Sequence, residues 1–297
     1  MDLVKCQVLL RAVDTGSFTK AAEELGYTPS GVTHMMNALE EELGITLLHR
    51  TRSGCSLTPS GMDLISSIRE FVSAGEKVSQ TVAQIQGLDV GHVTIGAGLS
   101  FARYLLPKVI SKFQKKYPKI TIELIESGGS RLRQLMAERV IDIAVITRQE
   151  MVSGTFIPLF LDDILAVVSS DNPLAEKKEI DIMELGDYPF IRLKASYDHD
   201  IEMLMRNRGF EPSVGLMSSD ENTIMAMVKE NLGVSIMAGM HVNNGPSGIV
   251  GIPFAPRALR ETGLFISSEE EISPAGRKFI NEIKLVVEES SRLGRIY

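Results

Sequence analysis

Three short helical stripes, closed by Gly16, Gly26 and Gly44, crowd into the first 44 residues, and a segment punctuated this densely folds as a small helical cluster. Leu3, Cys6, Leu9, Leu10 and Val13 recur at three- and four-residue steps, which predicts an amphipathic helix over residues 2 to 14. Ser17 is placed to cap a second helix whose buried stripe is Phe18, Ala21, Ala22 and Leu25. A third starts at Thr28, with Pro29 at the first helical position, where its missing N–H is not needed. The spacing Ala22, Gly26, Val32 supplies a small residue at a helix contact, a glycine turn and a buried aliphatic. Those are the requirements of a helix-turn-helix.

Projected at about 100° per residue, Met35, Met36, Leu39 and Leu43 fall within about 60° of Val32, so that face packs inward. Ser30, Thr33, His34 and Asn37 lie opposite, with donors and acceptors suited to base edges and phosphates in a major groove. An ordinary solvated polar face would look the same in isolation, so the surroundings decide. After Gly44, Ile45 to His49 and Ser56 to Thr58 are expected to pair as strands around Arg50-Thr51-Arg52-Ser53-Gly54, a wing whose arginines can reach phosphates or the minor groove. The candidate DNA-facing residues are therefore Ser17, Thr28, Pro29, Ser30, Thr33, His34, Asn37, Arg50 and Arg52.

Charge opposes this reading. The whole chain carries a formal net charge of -7, and through Thr58 the cations Lys5, Arg11, Lys20, Arg50 and Arg52 face Asp2, Asp14, Glu23, Glu24, Glu40, Glu41 and Glu42. DNA binding draws on lysine and arginine to neutralise phosphates, so geometry has to carry the claim. The motifs Gly16-Ser17-Phe18-Thr19-Lys20-Ala21-Ala22, Leu39-Glu40-Glu41-Glu42-Leu43-Gly44, Leu47-Leu48-His49-Arg50-Thr51 and Leu57-Thr58-Pro59-Ser60-Gly61 stand in the order found in LysR-type transcriptional regulators, which the chain resembles. Where that family usually has Ser-Gln-Pro-Ala this chain has Thr28-Pro29-Ser30-Gly31, so the base-contacting glutamine is absent and the proline is displaced by one residue.

From Pro59 to Gln86, Leu64, Ile68, Phe71, Gly75, Val78, Val82 and Ile85 alternate steps of four and three, the signature of a coiled-coil seam. A helix of this length spans about 40 Å at about 1.5 Å per residue, which favours a homodimer through Leu64, Ile68, Phe71, Val78, Val82 and Ile85 over packing on its own domain. Gly75 either weakens the seam or lets helices approach closely. The resemblance agrees: such regulators dimerise through this linker and commonly form tetramers.

From His92 onward apolar strands and helices alternate: Val93 to Ala97, Arg103 to Lys116, Ile120 to Ile125, Arg131 to Val140 and Ile141 to Ile146. That order predicts parallel α/β architecture. The resemblance implies a type-2 periplasmic-binding-protein-like effector domain of two lobes. The expected organisation is a winged helix-turn-helix over residues 1–58, a linker helix over 59–87 and an α/β effector domain over 88–297, with lobe 1 at 88–163 and 264–297 and lobe 2 at 164–263. Ligands in such folds sit beyond the carboxyl ends of strands, which selects Ser100, Phe101, Ser127, Gly128 and Thr147. Ser196 joins them from the opposite lobe on the resemblance alone. A wall so composed is hydroxyl-rich and uncharged overall, and the effector expected on it is a small anion held by free N–H groups.

Gly96-Ala97-Gly98-Leu99-Ser100-Phe101 is a partial dinucleotide motif, which keeps an α/β oxidoreductase as the alternative. Its third glycine is Phe101, and Lys115-Lys116-Tyr117-Pro118 stand where a ribose-binding acid belongs. A solute-binding protein would need an export signal, which the first residues lack. The five histidines have no metal spacing, and neither a catalytic motif nor a cofactor is expected. Cys6 and Cys55 form no CxxC pair and read as free thiols; neither lies in the effector domain, so the paired-cysteine peroxide sensing of some family members is not expected. No run of 18 apolar residues occurs. The reading is a cytoplasmic, non-enzymatic regulator that binds double-stranded DNA, a small effector and RNA polymerase, with no membrane partner.

Overall fold

The computed structural model describes residues 1–51, 54–148, 154–194 and 199–292. Two compact units form, one built on Met1–Val90 and one on Gly91–Gln134 with the chain from Ile141 onward.

In the first unit, α1 (Leu3–Thr15), α2 (Phe18–Leu25) and α3 (Pro29–Leu43) begin where the capping residues stand. Asp2, Ser17 and Thr28 each accept a first-turn backbone N–H, at 3.0, 3.4 and 3.1 Å, satisfying donors that no helical carbonyl reaches. Between α2 and α3, Gly26 adopts φ 73°, a left-handed turn in which a side chain would be strained. The hairpin strands are β1 (Leu48–Thr51) and β2 (Gly54–Leu57), antiparallel with Leu48 opposite Leu57. The expected first strand began at Ile45. Instead Glu40 holds the Leu47 and Leu48 amides, so pairing starts later and Arg50 is a strand residue. Arg52 and Ser53 lie outside the described residues.

Cys6, Leu9, Ala22, Val32, Met36, Leu39 and Leu47 make one core, and the long helix α4 (Pro59–Ile85) contributes Ile68 and Val72 to it. This divides the expected seam. Ile68 is only 5% exposed and is committed to its own unit, whereas Phe71, Val78, Val82 and Ile85 are exposed. Leu64 also packs against that core. Gly75 is a point of close approach: a Cβ there would stand 2.6 Å from Leu3 Cδ1.

The second unit runs β3 (Gly91–Ala97), α5 (Leu99–Tyr104), α6 (Leu106–Lys116), β4 (Ile120–Glu126), α7 (Gly129–Ala137), β5 (Ile143–Thr147), β6 (Thr155–Ser169), β7 (Phe190–Leu193), α8 (His199–Asn207), β8 (Val214–Ser218), α9 (Glu221–Lys229), β9 (Ser235–Ala238), α10 (Gly239–Asn243), β10 (Ile249–Pro253), β11 (Leu259–Ile266) and α11 (Pro274–Arg292). The helix expected over 103–116 is two, because Pro107 fits only the first turn of the second. The main sheet has seven strands, ordered β10-β6-β11-β5-β3-β4 with β9 also on β6. It is mixed: β3 pairs in parallel with β4 and β5, but β11 and β6 run antiparallel to their neighbours.

β6 organises two lobes. Its first part, to Asp163, pairs with β11, and from Ile164 it pairs with β9 and β10. One apolar core gathers Val93, Phe101, Phe113, Val145, Leu264 and Phe279; another gathers Ile164, Val168, Phe190, Met205, Ile236 and Phe254. The return to lobe 1 comes earlier than residue 264, since Leu259 already lies opposite Asp163. Among the described residues, no helix is long and apolar enough to cross a membrane.

Candidate DNA-binding and effector sites

The third helix separates its faces sharply. Val32, Met36 and Leu39 are at most 1% exposed, while Pro29, Ser30, His34 and Asn37 are exposed and Thr33 is half-buried. Thr33 Oγ1 donates to the Pro29 carbonyl at 2.9 Å, and Thr28 Oγ1 lies 3.1 Å from Ser30 Oγ while capping the helix. Ser17, half-buried, caps α2. The acids near this face are partly spoken for: Glu40 accepts the Leu47 and Leu48 amides, and Glu42 pairs with Lys5 at 3.3 Å.

Arg50 does not extend outward as a wing arginine reaching for phosphate would. Its guanidinium turns back to α3, donating to Asn37 and Glu40 and lying over the Phe18 ring. Charge-assisted bonds of this kind are about twice as strong as neutral ones, which accounts for the inward turn.

A cavity of about 140 Å³ opens between the lobes of the second unit. Ser100, Phe101, Ser127, Gly128 and Thr147 all line it, at the carboxyl ends of β3, β4 and β5; Ser196 lies outside the described residues. Gly96 sits inside β3, where a Cβ would meet Ile141 Cδ1 at 2.4 Å and Leu132 Cδ2 at 2.8 Å. That glycine serves packing, not the approach of a pyrophosphate.

The wall is not uncharged. His199, Asp200, Glu221, His241 and Arg260 also line it. Arg260 and Asp162 are cross-strand partners on β11 and β6. The guanidinium places Nε and Nη2 at 3.0 and 2.8 Å from Asp162 Oδ2, and Asp162 Oδ1 accepts the Met240 amide at 3.0 Å. The Asp162 side chain has no exposure and that of Arg260 only 8%. Burial pushes the Asp162 carboxyl above its ordinary value, against the opposing pull of Arg260. Arg260 also lies 5.5 Å over Phe101 and 3.5 Å from Ser100 Oγ. Across the cavity, Glu221 pairs with His241, a side chain 1% exposed whose Nδ1 has no hydrogen-bond partner among the described residues. Ser219, Glu221 and His241 follow β8 and β9, so the strand-end rule that selected Ser127 would have found them had it been applied to lobe 2. Arg260 carried no local signal.

Residues 3–62 match the family described as bacterial regulatory helix-turn-helix protein, lysR family, and residues 86–287 match the LysR substrate binding domain. The chain belongs to the LysR family. A Bacillus subtilis (strain 168) protein bearing the name uncharacterized HTH-type transcriptional regulator YvbU is 31% identical over 289 residues, covering 96% of this chain and 98% of its own length. A full-length OxyR variant from Pseudomonas aeruginosa shares the fold with a TM-score of 0.79 at 21% identity, over 97% of this chain and 95% of its own. Full-length CbnR complexed with its target DNA does so at 0.55 and 18%, over 97% and 100%. This LysR-type protein is thus a DNA-binding transcriptional regulator with an N-terminal helix-turn-helix and a C-terminal α/β effector domain. The dinucleotide alternative has no support: the segment proposed for it falls within the matched substrate binding domain. Both cysteines lie in the first unit, Cys6 buried and Cys55 half-buried, with free thiols.

Proposed function

We propose that this regulator binds a dyad-related operator as a homo-oligomer, lays α3 in the major groove, and is controlled by a small molecule held between the lobes of its effector domain. The observation that carries the DNA-binding half is the split of α3 into an apolar face and an outward row of Ser30, His34 and Asn37. Ser17, Thr28, Pro29 and Thr33 stand around the same helix starts, and Arg52 completes the set proposed to face DNA. CbnR, similar in fold, is known in complex with its target DNA.

The effector is a small acid that also carries a hydroxyl or amino group. Arg260, Ser100, Ser127 and Thr147 offer positive charge and donors on one wall; Asp200 and Glu221 offer acceptors on the other. The volume, about 140 Å³, is close to that of a cavity that holds benzene. His241 Nδ1, without a partner among the described residues, supports a polar occupant, because buried polar groups ordinarily have one. Phe101, Gly128 and Ser196 complete the proposed set. Dimer or tetramer formation uses the exposed part of α4, at Phe71, Val78, Val82 and Ile85, and the complex contacts RNA polymerase in the cytoplasm.

A thermal-shift screen of small hydroxy and amino acids tests the effector half. A binder should raise the Tm of the full-length protein and do so less in Ser100→Ala and Thr147→Val, while gel shifts show DNA binding retained in all three. A compound that stabilises all three proteins equally would move the pocket elsewhere.

A further inference from the structure

Arg50 holds Asn37 by geometry with a consequence for base recognition. Its Nη1 donates to Asn37 Oδ1 at 2.6 Å and its Nη2 to Glu40 Oε2 at 2.6 Å. The Cζ atom stands 5.2 Å over the Phe18 ring. Glu40 is fixed in turn, because its other oxygen accepts the Leu47 amide at 2.7 Å and the Leu48 amide at 3.0 Å. The guanidinium is thus gripped by a carboxylate, a carboxamide oxygen and a ring, and the carboxylate is tied to the chain that leads into the wing.

A guanidinium has five donors and no acceptor. The Asn37 atom facing it must therefore be the oxygen, which leaves the NH₂ group directed away from Arg50 on the exposed face of α3. An unconstrained asparagine reads adenine by donating to N7 while accepting from N6, and that pairing needs both ends of the amide. With its oxygen turned to Arg50, Asn37 cannot set both ends of its amide along one adenine edge and leads with its NH₂ donors, which match the paired acceptors N7 and O6 of guanine.

The geometry points to Arg50 as a specificity-determining residue: it orients the Asn37 carboxamide so that the helix favours guanine over adenine at the base that Asn37 faces. The inference rests on α3 lying in the major groove. Arg50 acts through Asn37 and needs no contact with a base.

Selection from a random duplex library, followed by binding to all four bases at each operator position, tests it with the full-length protein. The wild type should prefer guanine to adenine roughly tenfold at one position, and Asn37→Ala should lose that preference at that position alone. Arg50→Met frees the carboxamide oxygen and should shift the same position toward adenine. If circular dichroism shows Arg50→Met unfolded, Arg50→Lys replaces it: the ammonium keeps the Glu40 pair but lacks the fork that spans two partners, and the same shift is expected. An unchanged base profile with uniformly weaker binding in the Arg50 variants would overturn the proposal and make Arg50 a phosphate contact. An unchanged profile in Asn37→Ala would overturn the groove reading itself, a separate outcome.

Discussion

The two units differ in how deeply they set a functional ion pair. In the DNA-binding unit, Arg50 and Glu40 pair at the surface with 32% and 16% side-chain exposure, and water shares the task of stabilising them. In the effector unit Arg260 and Asp162 are sealed into the cavity wall at 8% and 0%. Exposed pairs contribute about 0–1 kcal/mol, whereas removing one partner of a buried pair costs about 3–5 kcal/mol, because the other charge is left uncompensated. The surface pair thus adds little to the stability of the fold, while the buried pair holds the binding wall rigid.

The largest effect should come from breaking that buried pair. Asp162→Ala should destabilise the full chain by about 3–5 kcal/mol in urea unfolding followed by circular dichroism, against about 0–1 kcal/mol for Arg50→Met. Replacing the pair together, Asp162→Leu with Arg260→Met, should recover most of the loss while abolishing the effector response. Comparable losses for Asp162→Ala and Arg50→Met would dissolve the contrast between the units.

A smaller contrast lies within α4. Ile68 is a core residue at 5% exposure and Val82 is half exposed at 49%. Ile68→Ala should cost about 2–5 kcal/mol with the oligomeric state unchanged. Val82→Asp should leave the stability of the monomer within about 0.5 kcal/mol, as for other surface changes, and lower the apparent mass in sedimentation. If Val82→Asp leaves the mass unchanged, the oligomer forms through another surface.

These contrasts also mark what could be read from the chain. Asp2, Ser17 and Thr28 act on backbone groups three residues away, so the helices of the first unit were legible locally, as were the strand ends that place Ser127 and Thr147 at the cavity. Three features were not. A heptad stripe is apolar whether it faces its own core or another copy, so Ile68 could not be told from Val82. Arg50 turns back because the wing register brings it to Glu40 and Asn37. Arg260 gains its meaning from Asp162, 98 residues away, and only the β6–β11 register puts the two opposite each other.

The smallest effect concerns the start of α9, which carries Glu221 to the cavity. Asp220 caps that helix, accepting the Thr223 hydroxyl at 2.7 Å and the Thr223 amide at 3.0 Å. These bonds, the hydroxyl first, hold its carboxyl below the ordinary value. A carboxylate whose pKa is lower in the folded chain contributes stability at pH values above its unfolded pKa, about 3.9, and that contribution fades as the pH falls through the folded value. Asp220→Ala should cost about 1 kcal/mol at neutral pH through loss of the cap. Asp220→Asn keeps a capping oxygen and removes the titration, so its deficit relative to wild type should be a few tenths of a kcal/mol, roughly what separates good caps, and should begin to shrink as the pH falls below about 3.9. Urea midpoints at pH 7, 5 and 3.5 measure it. A deficit that holds constant across that range would show that Thr223 stabilises the cap equally in either protonation state, and that charge at this end of the effector unit is as dispensable as it is on the DNA-binding surface.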